Sequence, residues 1–88
     1  MAMWGLDVQQ VRQLGSQLTQ KAGEIETLLS TLTNALNGTQ WEGPDATNFR
    51  NEWSGQHTAA LRNVANALRD AGAKATQNAS QQESTSSN

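Results

Sequence analysis

The chain has no cysteine, no tyrosine, one proline and one histidine in 88 residues. Without cysteine, neither a disulfide nor a thiolate metal site can brace the fold. Aromatic residues make up only 5% and hydrophobic residues 35%, and the mean hydropathy is -0.68. So short a chain buries too little surface to offset its conformational entropy comfortably, so its folded form is expected to lean on a partner. Six Lys and Arg stand against eight Asp and Glu, a net charge of -2. No basic stripe is available for phosphates, which argues against nucleic acid as a partner. There is no run of about 18 apolar residues, so no segment is expected to insert stably in a membrane. The opening MAMWGLDVQQ lacks a positive region followed by an apolar one and does not read as a Sec signal peptide. On that ground alone the chain is expected in the cytoplasm.

What the chain does have is heptad periodicity. Asp7 reads as the N-cap of a first helix over about 7–37, with Gln10 completing a capping box. Leu6 and Val11 are spaced as a hydrophobic staple. From there Val11, Leu18, Ile25 and Leu32 recur every seven residues, each followed three residues later by Leu14, Lys21, Leu28 or Ala35. These are the a and d positions of a coiled coil. A further row, Val8, Gly15, Ala22, Leu29 and Leu36, widens the stripe beyond what a two-stranded seam needs and predicts neighbours on two sides. Gly15, Ala22 and Gly23 are small, which points to close helix approach near this level. Asn37-Gly38 is the expected stop, with Gly38 in the left-handed conformation.

A turn is predicted over 38–45, where two glycines and the proline fall together. Pro44 and Asp45 suit the first turn of a second helix over about 45–78. Its apolar positions are Ala46, Phe49 and Trp53, then a row of Leu61, Leu68 and Ala75 and another of His57, Val64 and Ala71. Residues 81–88 have no apolar side chain and are expected to be a disordered polar tail beyond the 1–80 hairpin. The fold class is therefore all-α: an antiparallel two-helix hairpin. One hairpin leaves half of so wide a stripe wet, so two are expected to pair into a four-helix bundle.

No catalytic, cofactor or metal site is expected. His57 has no cluster of ligands around it, and Glu52, five residues earlier, lies off its face of an α-helix. The serines have no nearby base in the sequence. Trp41 reads as the residue capping the apolar seam at the corner, Gly43 as a backbone requirement of the turn ahead of Pro44. Phe49 and Trp53 read as packing at the wide end of the bundle. Trp4 is expected to fill space left by Ala71, Gly72 and Ala75.

Trp41-Glu42-Gly43 lies between two amphipathic helices, and Ala46, Phe49 and Trp53 follow in the spacing W-x-G-x-x-A-x-x-F-x-x-x-W. From Leu6 to Glu83 the chain resembles the WXG100 (ESAT-6-like) family of type VII secretion substrates, and its opening Met3-Trp4-Gly5-Leu6-Asp7-Val8 resembles actinobacterial members. The resemblance implies a non-enzymatic helical partner module. It would be a homodimer, or a heterodimer with a sister WXG100 protein, exported folded and without a Sec signal by a type VII ATPase of the FtsK/SpoIIIE type. This replaces the cytoplasmic expectation with secretion, the cytoplasm being the location before export. It also implies a composite signal, in which the W-x-G corner, here Trp41 and Gly43, sits beside a Y-x-x-x-D/E segment of the partner. The nearest match to that segment is Ala79 to Glu83, which keeps the acid and lacks the tyrosine. Either a partner supplies the tyrosine-bearing signal or a degenerate one operates around 78–83. The heptads by themselves equally suit an intracellular adaptor or chaperone for a larger type VII substrate or toxin.

Overall fold

Asp7 caps the first helix, its Oδ1 accepting the Gln10 backbone N–H at 3.0 Å. The computed structural model describes residues 7–87, so the Leu6 staple and the placement of Trp4 lie outside the described residues. Three α-helices follow one another: α1 over Val8–Gly38, α2 over Pro44–Glu52 and α3 over Thr58–Ser87, with a π-helical turn at Trp53–His57 joining α2 to α3. There is no strand among the described residues. Arg12 near the start of α1 pairs with Glu83 near the end of α3, and Glu26 with Arg69. The two long helices therefore run antiparallel, as a hairpin. Its Cα extents are 65 × 18 × 14 Å, which is two helices wide and one helix thick.

The seam inside this hairpin is made mostly of small residues. On α1 it buries Gly15, Ala22 and Leu29; on α3 it buries Ala65, Gly72 and Ala79. Gly15 and Gly72 face each other so closely that a Cβ on Gly72 would lie 2.8 Å from the Gly15 carbonyl oxygen, and one on Gly15 would lie 3.0 Å from that of Gly72. Backbones in such contact exchange Cα–H···O and dispersion interactions that a side chain would prevent. The close approach expected near Gly15 and Ala22 is thus found, but Gly23 has nothing within 4 Å of its would-be Cβ. The row that seemed to widen the stripe is the hairpin seam itself.

On the second helix the expected register is off by one residue beyond Trp53. The rows His57, Val64, Ala71 and Leu61, Leu68, Ala75 were both expected inward, yet the first of these is exposed. The cause is the π turn. Thr58 N–H bonds to Trp53 C=O, and the Thr58 hydroxyl donates to the same oxygen at 2.6 Å. One turn thereby takes five residues in place of four, and the inward row becomes Thr58, Ala65, Gly72 and Ala79. The same turn brings His57 Nε2 to 3.9 Å from Glu52 Oε2, although i and i+5 do not meet on an α-helix.

Both helix ends also depart from the sequence reading. Gly38 is not left-handed, since the positive-φ glycine among the described residues is Gly43. The α1 end is closed by Thr39, whose hydroxyl donates to the Ala35 carbonyl at 2.6 Å, and by Arg50, described below. At the other end, α3 runs to Ser87 where a disordered tail was expected from 81. Ala79 is fully buried in the seam, and Glu83 reaches Arg12 at 3.0 Å. These anchors carry the helix past its expected end, and no glycine or proline follows Gly72 to stop it.

Candidate functional site

A helix turns about 100° per residue, which puts Leu14, Leu18, Ile25, Leu28 and Leu32 on one side of the α1 seam. Leu61, Val64 and Leu68 fall on the matching side of α3. Because the helices are antiparallel, both sides open onto the same face of the slab. Leu14, Leu28, Leu32, Phe49 and Val64 are 39–49% exposed there, while Val11, Leu18, Ile25, Leu61 and Leu68 are half-buried at its inner edge. Leu29 is buried in the seam and Leu36 half-buried at its upper end. The opposite face is polar and carries both cross-helix ion pairs. Arg12 bonds Glu83, and Arg69 bonds Glu26 through both carboxylate oxygens. The hydrogen bond from Arg69 holds the Glu26 carboxyl below its ordinary pKa, and that from Arg12 does the same for Glu83. The predicted stripe therefore splits in two: Gly15 and Ala22 close the hairpin together with Leu29, and most of the large residues stay outside.

The apolar face ends in an aromatic corner. Phe49 lies between two tryptophans, 6.1 Å from the Trp41 ring and 6.4 Å from the Trp53 ring between centroids. Trp53 is buried, and its indole N–H is satisfied by Thr33 Oγ1 at 3.0 Å. Its packing role is the one its spacing predicts. Trp41, expected to cap the seam, packs beside Phe49 and is 41% exposed. Beside it, Leu32, Ala35, Leu36, Thr39, Phe49 and Trp53 line an open hollow of about 180 Å³. Gly43, at φ 119° and ψ 174°, occupies a backbone region that is essentially closed to other residues, in keeping with the turn role read for it.

Sequence reasoning missed Arg50. Its guanidinium donates to three carbonyl oxygens of the corner, those of Trp41 at 2.6 Å, Thr39 at 3.0 Å and Leu36 at 3.2 Å. Its Cζ also lies 5.9 Å from the Trp41 ring centroid. One signal was available: α1 has no basic residue in its last turn, so its negative end wanted a cation from elsewhere.

The candidates for a C-terminal signal are placed less favourably. Ala79 has no exposed surface, and the Glu83 carboxylate is engaged by Arg12 on its own hairpin. Among the described residues no group of three or more His, Asp or Glu is placed to hold a metal ion, and no helix is long and apolar enough to cross a membrane. The chain matches no family model, no curated protein and no solved structure.

Proposed function

We propose that the protein is a non-enzymatic helical partner module of the WXG100 type, which pairs into a four-helix bundle and is exported folded by a type VII secretion system. The observation that carries this reading is the row of large apolar side chains outside the hairpin seam. The accessible surface is 6511 Å² for 9.5 kDa, against roughly 5,000 Å² for a compact monomer of that mass. A second hairpin laid on the apolar face would cover Leu14, Leu28, Leu32, Val64 and Phe49 and supply the missing half of the core.

The aromatic corner supports the export half of the proposal. Trp41 is held by its neighbours Phe49 and Arg50 and is 41% exposed, so part of it stays accessible to a recognising partner. The burial of Ala79 and the engagement of Glu83 favour a sister chain as the source of the tyrosine-bearing segment over a degenerate signal on this chain.

The test has two parts. Light scattering on purified protein should give twice the chain mass, or a monomer that becomes a heterodimer when the sister chain is added. In a host carrying the cognate secretion system, the protein should reach the culture supernatant and stop doing so when the ATPase is deleted. Supernatant levels untouched by that deletion refute the export reading. Retention in the cell together with co-purification of a larger protein favours the intracellular adaptor instead.

A further inference from the structure

At the start of the corner over residues 39–43 the Thr39 hydroxyl bonds the Ala35 carbonyl at 2.6 Å, but the backbone bonds within the corner are weak. Trp41 N–H bonds to the Thr39 carbonyl at 3.0 Å, and Thr39 N–H reaches the Leu36 carbonyl at 3.4 Å. The first spans only two residues and the second is long, so neither is a strong closure. Arg50 adds three hydrogen bonds from a charged donor to this segment. Its backbone is fixed on α2 between Ala46 and Trp53, both buried. The fork thus ties the loose corner to a rigid helix, at the negative end of α1, where a cation is most favoured.

We propose that Arg50 is the positioning residue of the Trp41–Gly43 corner: its planar fork sets the geometry in which the Trp41 ring is presented for recognition. Lysine cannot take its place, because a single ammonium lacks the planar fork that reaches three carbonyls spread from Leu36 to Trp41. The positioning half of this statement stands on the hydrogen bonds. The recognition half rests on the export reading above.

The test uses the full chain with Arg50→Lys, which keeps the charge and most of the stem, and Arg50→Gln as a second variant. Amide hydrogen exchange at Trp41 reports closure of the corner, and exchange at Ala22, Leu29 and Ala65 reports the hairpin as a whole. Losing the fork should speed Trp41 exchange about tenfold or more, while the seam amides remain protected and show that the hairpin is still folded. The amount in the supernatant should fall as far as it does for Trp41→Ala. Wild-type exchange at Trp41 in both variants overturns the proposal. So does accelerated exchange with full export, if Trp41→Ala blocks export. Should Trp41→Ala itself be exported normally, Trp41 is not what the export machinery reads and the recognition half of the proposal is overturned, while exchange alone decides whether Arg50 positions the corner.

Discussion

Glycine-to-alanine substitutions at two positions of this hairpin should move stability in opposite directions. In a helix interior, alanine is favoured over glycine by about 1 kcal/mol. At Gly23 nothing lies within 4 Å of the added methyl, so Gly23→Ala should realise that gain. At Gly72 the methyl would meet the Gly15 carbonyl oxygen at 2.8 Å and Thr19 Oγ1 at 2.7 Å. Thr19 can rotate away, but the carbonyl belongs to the α1 backbone, so the helices must part. Overpacking of this kind costs about 1–3 kcal/mol, which exceeds the propensity gain and leaves a net loss of about 1 kcal/mol. For a domain of this size each kcal/mol is about 4–8 °C in melting temperature, so the two variants should melt on opposite sides of the wild type. Thermal unfolding followed by circular dichroism, at one fixed protein concentration because association shifts the midpoint, measures this directly. A Gly72→Ala variant as stable as Gly23→Ala would refute the close backbone contact at the seam.

Leu28→Glu places a charge on the uncovered apolar face without touching the seam. Under the proposed pairing it should halve the mass seen by light scattering, or abolish binding to a sister chain, and an unchanged assembly would show that this face is not the interface. Gly43→Ala should lower the melting temperature through backbone strain alone, about 1–3 kcal/mol for a residue forced into that region, since the space around Gly43 is open. Glu26 and Glu83 have depressed pKa values, because Arg69 and Arg12 favour their charged forms. Their stabilising contribution is therefore complete above the ordinary glutamate value of about 4.3 and is lost as pH falls through the lower folded-state values. Melting curves of the wild type and of the Glu26→Gln/Glu83→Gln double variant should converge on acidification, and a constant gap between them would contradict the ion-pair assignment.

The sequence by itself determined the local structure: the cap at Asp7, a corner within 38–45, which the structure narrows to 39–43, the helical start at Pro44 and the heptad spacing of the first helix. Each of these depends on a few adjacent residues and is readable without knowing the neighbours. It also marked Gly15 and Ala22 as a place of close approach. What only the tertiary structure decided is which row of a wide stripe faces inward. Large residues at Val11, Leu14, Leu28 and Leu32 suggest the core, yet the seam goes to Gly15, Ala22, Leu29, Ala65, Gly72 and Ala79, because its mostly small residues let two backbones approach and gain contact along their length. Periodicity carries no information on that choice. Nor does it reveal the π turn after Glu52, which shifts every later position by one, or the reach of Arg50 to carbonyls as far back as Leu36. Both arise from contacts between segments, where the geometry of one chain section sets the hydrogen bonds of another.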